Sequence, residues 1–85
     1  MSKEYTLMVD PRRSGRRNAG PYDPKTNTPR YEEAFDAPSP EARRSFHIES
    51  KVMGTEGNYL WVWEFRNDST WPIFLTLKKD GVVQR

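Results

Sequence analysis

The sequence predicts a small, mainly β domain, on three observations. Segment 46–53 alternates apolar with polar residues, and segments 58–66 and 71–79 are rich in aromatic and β-branched side chains, which is typical of strands. Turn-forming residues separate these segments. A length of 85 residues suits one domain with a small core. We therefore expect an antiparallel sheet of about four strands with one short helix, either coiled as an SH3-like or OB-like partial barrel or open as an α+β layer.

The single domain, residues 1–85, is predicted to begin with a strand within residues 1–9. Tyr5, Leu7 and Val9 fall on one face of this segment, since they alternate with the residues between them. The dipeptide Asp10-Pro11 then ends the run, because proline has no amide hydrogen to continue a ladder.

Residues 10–38 are predicted to form a long extended basic arm or loop. Every proline except Pro72 lies between Pro11 and Pro40, among polar residues that supply little apolar surface. A loop of this length is uncommon inside a compact domain and is usually either functional or disordered. We therefore expect residues 11–38 to be the most mobile part of the chain.

Residues 39–45 are predicted to form a short helical turn, and residues 46–85 an antiparallel meander. Ser39 suits the N-cap and Pro40 the first helical position. The meander has predicted turns at 54–57 and 67–70, and its last strand begins at Trp71, with Trp71 on the same face as Ile73.

An aromatic row on the middle strand of the meander has two interpretations. Alternation places Tyr59, Trp61, Trp63 and Phe65 on one face. Such a row either stacks bases or sugars or forms the core. Only 34% of the chain is hydrophobic, so the core interpretation is favoured. Because Leu60 and Val62 make the opposite face apolar as well, this strand is predicted to be central and to need cover on both faces.

Composition argues against several classes of protein. Without cysteine there is neither a disulfide framework nor a thiolate site, and cytoplasmic localisation is therefore expected. The single histidine and the scattered acids fit no zinc or calcium spacing, so neither a metal nor another cofactor is expected. The sequence shows no apolar run long enough to span a bilayer and no leader pattern, so no membrane partner is expected.

Catalysis has one candidate pair, His47 and Glu49, which the strand alternation places on the same face. A carboxylate beside an imidazole can support general acid–base chemistry. The same pattern is also typical of the solvent face of a sheet. We therefore expect a protein that is not an enzyme, and we keep catalysis by His47 and Glu49 as the third hypothesis.

The basic residues are the strongest polar feature, although the net charge is only +2. Arginine binds phosphates and carboxylates in bidentate geometry. The candidate partner-binding residues are the arginines of the arm and of the predicted helix: Arg12, Arg13, Arg16, Arg17, Arg30, Arg43 and Arg44. Whether the arm lies beside the helix is not determined by the sequence.

Three hypotheses for function follow from these features. The first is a small interaction protein, of the kind that phages and mobile elements use as inhibitors, which binds an acidic protein or nucleoprotein surface through the basic arm and a sheet edge. The second is a nucleic-acid-binding domain that combines arginine–phosphate contacts with aromatic stacking. The third is the enzyme described above.

Overall fold

A computed structural model describes residues 4–85, which form two antiparallel sheets and one helix. The elements, in chain order, are β1 (Leu7–Val9), β2 (Ser14–Tyr22), β3 (Tyr31–Asp36), α1 (Pro40–Arg44), β4 (Phe46–Thr55), β5 (Asn58–Asn67), β6 (Ile73–Lys79) and β7 (Val82–Val83). The predicted class, mainly β with one short helix, is confirmed. The sheets are open rather than closed into a barrel, which is consistent with a partial barrel.

The strands divide between the sheets differently from the predicted meander. One sheet has the order β2-β5-β4, and the other has the order β1-β6-β3 with β7 also paired to β6. The expectation that β4, β5 and β6 form a continuous meander is therefore wrong. The chain leaves the first sheet after Asn67 and enters the second at Ile73, and Pro72 has no amide hydrogen that could extend the first ladder.

The prediction that residues 10–38 form an extended basic arm or loop without ladder pairing is also wrong, because the paired strands β2 and β3 both lie within this segment. The prolines flank these strands more than they interrupt them. Pro24 and Pro29 lie between β2 and β3, and Pro38 follows β3. Only Pro21 falls inside a strand, after a cis peptide bond and where the pairing of β2 with β5 shifts register. An edge strand tolerates proline there, since only one side of its backbone is paired.

The predicted helix is confirmed, and the first strand is shorter than the predicted segment. The Ser39 hydroxyl accepts a hydrogen bond from the Ala42 amide at 3.1 Å, as an N-cap does. β1 covers only Leu7–Val9, and residues 1–3 of the predicted segment lie outside the described residues. The β4–β5 pairing continues to Thr55 and Asn58, so the turn has Glu56 and Gly57 between the strands instead of the predicted span 54–57.

The inner faces of the two sheets pack against each other to form the core. Phe35 of β3 contacts Phe46 of β4, with ring centroids 4.7 Å apart, and Tyr31 of β3 stacks on Trp61 of β5 at 4.8 Å. Strand β3 therefore crosses the three-stranded sheet diagonally. The buried apolar residues of this core are Val9, Ala42, Phe46, Trp63, Phe65, Ile73, Leu75 and Leu77.

The core interpretation of the aromatic row is confirmed for Trp63 and Phe65. Trp63 is 1% exposed and Phe65 is also buried, whereas Tyr59 and Trp61 are half-buried. β5 is central, as predicted. Trp71 is 38% exposed and precedes β6, so its predicted place on the inner face beside Ile73 is wrong.

Tyr31 gives the first testable prediction, because its buried hydroxyl has no hydrogen-bond partner among the described residues. Burial raises the pKa of Tyr31, and the charges of Tyr22 and Asp80 act in the same direction. We expect Tyr31→Phe to be neutral or to stabilise by up to about 1 kcal/mol, since no hydrogen bond is lost. A raised folded-state pKa means that stability is present below the pKa of unfolded tyrosine and is lost as pH rises through the folded value.

Urea denaturation of both proteins at neutral and strongly alkaline pH measures this effect. The wild type should lose stability at alkaline pH, and Tyr31→Phe should lose less. A variant destabilised by more than about 1 kcal/mol at neutral pH would mean that the hydroxyl is bonded.

Candidate interaction surface

Two separate basic segments meet at one end of the three-stranded sheet. The Arg13 carbonyl accepts a hydrogen bond from the Asn67 amide at 2.8 Å, and the Ser45 carbonyl accepts one from the Asp68 amide at 2.9 Å. The turn before β2 and the end of α1 therefore flank the same end of β5. We call the residues that these segments present the arginine end: Arg12, Arg13, Arg43 and Arg44. All of them are exposed.

Local structure holds both halves of the arginine end. Before β2, the Arg13 amide donates to the Asp10 carbonyl at 3.2 Å, which closes a turn with Arg12 at φ 63°. On the other side, the Arg43 guanidinium lies 4.9 Å from the centroid of the Phe35 ring, and its Nη2 donates to the Phe35 carbonyl at 3.5 Å. These contacts place the arginines on hydrogen-bonded backbone beside the sheets.

Arg30 lies at the opposite end of the molecule. Its amide donates to Asp80 Oδ1 at 2.9 Å, and its Nε is 3.2 Å from Glu32 Oε1. Asp80 follows β6, whose first residue, Ile73, is at the other end of the strand. The structure thus separates Arg30 from the arginine end, although the sequence grouped them together.

Arg16 is engaged within its own sheet. Its Nη2 lies 3.7 Å from Glu64 Oε1 and donates to Met53 Sδ at 3.3 Å. Arg16 of β2 pairs with Glu64 of β5, and Met53 of β4 pairs with Leu60 of β5. The contact between Arg16 and Met53 therefore crosses β5 over Val62, which lies between Leu60 and Glu64 on the same face.

Val62 is only 2% exposed, although no second layer within residues 4–85 covers this face. The Lys51 ammonium pairs with the Glu64 carboxylate and extends the cover over Val62. The hydrogen bond from Lys51 holds the pKa of Glu64 below its usual range, with the charges of Lys51 and Arg16 acting in the same direction. Long side chains of the same sheet therefore supply the predicted second cover, in place of another segment.

His47 and Glu49 share this outer face, as the alternation predicts. They border an open depression of about 990 Å³, together with Arg16, Glu64 and Arg66. His47 Nε2 is 3.4 Å from Asp68 Oδ2, and Arg66 Nε is 2.9 Å from the same oxygen. Glu49 is opposite Glu64 and not paired with the imidazole by any contact in the structure. The histidine's carboxylate neighbour is Asp68, which sequence reasoning did not single out.

We expect His47→Gln to keep the fold and any partner binding, because His47 is exposed and its contact with Asp68 lies at the surface. Circular dichroism and a thermal melt check the fold, and the binding assays described below check the function. An assayable activity lost in His47→Gln, without a change in the melt, would instead favour the enzyme hypothesis.

The outer face of the other sheet exposes apolar surface that sequence reasoning missed. A groove of about 380 Å³ there is lined by Asp36, Ala37, Pro38, Trp71, Pro72 and Phe74. Beside Phe74, Met8 and Tyr5 are also exposed. One feature of the sequence could have indicated this groove. Pro72 lies directly before a strand, and a proline there keeps Trp71 out of the ladder.

No known protein family, curated protein sequence or solved structure shows a match to the chain. In the part of the chain that the structure describes, no three histidine, cysteine or acidic residues group in a way that could hold a metal ion. Over residues 4–85, no helix has the length and apolar character needed to cross a membrane.

Proposed function

We propose that the chain is a non-enzymatic binding protein that contacts an acidic surface of a protein or nucleoprotein through the arginine end and the adjoining edge of β2. The observation that carries this proposal is the convergence of Arg12 and Arg13 with Arg43 and Arg44 on both sides of β5. Four guanidinium groups on ordered backbone recognise carboxylates or phosphates with less entropy loss than the same groups on a free arm.

The charges around the arginine end favour this interpretation. Asp68 follows β5 at this end, and its carboxylate is already bound by Arg66 and His47. It is therefore less available to pair with the arginine end. Surface arginines contribute little to folding, so a cluster of them is better explained by binding than by stability.

Nucleic acid is the alternative partner, since the same arginines suit phosphate. The surroundings of the two tryptophans of the aromatic row argue against nucleic acid. Trp63 is 1% exposed and Trp61 is stacked on Tyr31, so neither offers a free ring for a base. Catalysis by His47 and Glu49 remains the third hypothesis and gains no support from the contacts of His47, whose carboxylate neighbour is Asp68.

Within this proposal, the mode of action that we favour is occlusion of an acidic site on a cytoplasmic target, as inhibitors encoded by phages and mobile elements do. The support is the small size, the lack of cysteine and the concentration of charge at one end. These features only resemble those of such inhibitors in general, and they support the proposal less than the arginine end does.

Replacing Arg12, Arg13, Arg43 and Arg44 together by alanine is expected to weaken binding about tenfold or more, because complementary charge is lost at the contact. The melting temperature should fall only slightly, through the lost Arg43–Phe35 contact. Fluorescence anisotropy with a labelled glutamate-rich peptide and with a labelled DNA duplex, each measured across a salt series, gives both affinities.

A matched control removes the same formal charge near the other end, by replacing Lys25, Arg30, Lys78 and Arg85 with alanine. This control should bind nearly as well as the wild type. Equal losses in both variants would indicate a general effect of net charge and would contradict the proposal. Tighter binding to the duplex than to the peptide, with a steep salt dependence, would favour the nucleic-acid alternative.

A further inference from the structure

β2 has a long free edge. It pairs with β5 on one side, and no strand within residues 4–85 pairs with its other side. From Ser14 to Asn18 every residue is exposed. An unpaired edge of this length presents backbone donors and acceptors that an extended segment of another protein can bind.

The hydrogen bond from the Asn67 amide to the Arg13 carbonyl shows which β2 groups face outward. In an antiparallel ladder, alternate residues direct both backbone groups to the same neighbour. Arg13, Gly15 and Arg17 therefore direct their backbone groups to β5. By the same alternation, three residues direct their backbone groups to the free side: Ser14, Arg16 and Asn18.

Arg13 directly precedes β2, and its hydrogen bond with Asn67 continues the ladder, so the strand alternation places Arg13 and Arg17 on the same face. Gly15 lies between them, and a Cβ at that position would be 2.8 Å from Phe65 Cε2, so the Phe65 ring closes over the strand there. In a strand added to the free side, the residues opposite Arg13 and Arg17 would form pairs without backbone bonds. Such pairs bring Cα atoms to about 4.5 Å and side chains closest together.

We propose that the β2 edge binds an extended acidic segment of a partner protein as an added antiparallel strand, with two acidic residues four positions apart opposite Arg13 and Arg17. This inference rests on the proposed function and specifies how the same surface recognises its partner. Backbone bonds from Ser14, Arg16 and Asn18 supply affinity, and the spacing of the two arginines supplies specificity.

Charge disfavours a second copy of the chain as the occupant. Antiparallel pairing of two β2 edges would bring arginines together, which is destabilising. β3 is an acidic edge with Glu32 and Glu33, but its Phe35 carbonyl is already bound by Arg43 of the same chain. A partner strand with its own free edge and acidic residues suits β2 better.

The test uses labelled ten-residue peptides of threonine and valine with two glutamates. One peptide has the glutamates four positions apart and the other has them three apart, which places them on opposite faces of a strand. We expect the first peptide to bind at least about fivefold more tightly. Methylating the backbone nitrogens that face β2 in the first peptide should abolish this advantage, because it removes the donors of the new ladder.

On the protein, Asn18→Pro removes an outward amide without breaking a bond to β5, and Asn18→Ala is its matched control. We expect Asn18→Pro to weaken binding of the first peptide about tenfold, with Asn18→Ala unchanged. If Asn18→Pro fails to fold, the methylated peptide decides the question.

Several results would overturn the inference. Equal affinity for both spacings, or for the methylated peptide, would exclude strand addition. Should the arginine-end variant still lose binding in that case, the proposed function would stand without it. If the wild type bound neither of the two spaced peptides nor the glutamate-rich peptide, both the strand-addition inference and the proposed function would be overturned. Dimerisation of the free chain that Asn18→Pro abolishes would make a second copy the occupant and would also overturn the inference.

Discussion

Trp63→Ala is expected to destabilise the protein by about 3 to 5 kcal/mol, the usual cost of removing a large aromatic side chain from a core. Trp63 is the largest fully buried side chain among the described residues and is 1% exposed. It packs edge-on against Tyr31, with ring centroids 5.7 Å apart, and so joins the two sheets. A loss of this size is a large part of the stability of a domain of this length.

Chemical denaturation of the wild type, Trp63→Ala, Trp63→Phe and Trp61→Ala measures the effect. Trp63→Phe should lose much less than Trp63→Ala, because the indole nitrogen has no partner to forfeit. Trp61 is half-buried, so Trp61→Ala should cost less than Trp63→Ala. If Trp63→Ala melted like the wild type and lost binding instead, the aromatic row would be a stacking platform after all.

The strands that sequence reasoning located are those that carry their own apolar alternation. β4 and β5 are visible because aromatic and β-branched residues recur at every second position. α1 is visible because Ser39 and Pro40 occupy capping positions that few other structures require. In these elements the local pattern and the tertiary structure agree.

β2 was missed because an edge strand can form without an apolar alternation in its own sequence. Its residues Ser14 to Asn18 are polar or glycine and all exposed, so no alternation marks them. The strand forms because β5 offers a ladder and because Phe65 closes over Gly15. Both causes lie about fifty residues away in the chain, beyond the reach of a local pattern.

The candidate site was predictable as a set of residues but not as a surface. The arginines that can bind acids are evident from composition. Their grouping depends on β2 and β4 flanking β5, which brings Arg13 and Arg44 to one end and leaves Arg30 at the other. The arrangement depends on which strands pair with β5, and no local pattern in the sequence indicates that pairing.

Asn67→Ala is expected to destabilise the protein by about 3 kcal/mol or more, although sequence reasoning treated Asn67 as an ordinary turn residue. Its side chain is 0% exposed. Nδ2 donates to the Val9 and Trp71 carbonyls at 3.0 and 2.7 Å, and Oδ1 accepts from the Ser69 amide at 2.9 Å. The side chain thus ties β1 and the approach to β6 to the end of β5. Alanine leaves several buried groups unpaired, each costing about 1 to 3 kcal/mol.

Two further variants separate this network from simple loss of volume. Ser69→Ala removes one hydroxyl from the same network and should cost about 1 kcal/mol. Asn67→Asp keeps the shape, but an ionised carboxylate cannot donate to the carbonyls of Val9 and Trp71. Burial there should raise the pKa of the introduced acid, so its protonated form binds best. Its stability relative to the wild type should therefore be greatest at acidic pH and should decline as pH rises past the pKa of unfolded aspartate.

Urea denaturation of Asn67→Ala, Asn67→Asp and Ser69→Ala at two pH values tests the whole argument. An Asn67→Ala variant within about 1 kcal/mol of the wild type would mean that the corner between the sheets is held by other contacts. A penalty for Asn67→Asp that did not grow between acidic and neutral pH would mean that the site is open to solvent. The expected pattern instead identifies one buried amide as the residue that ends the first sheet and starts the second, because only a side chain with both donors and an acceptor satisfies the backbone on all sides of it.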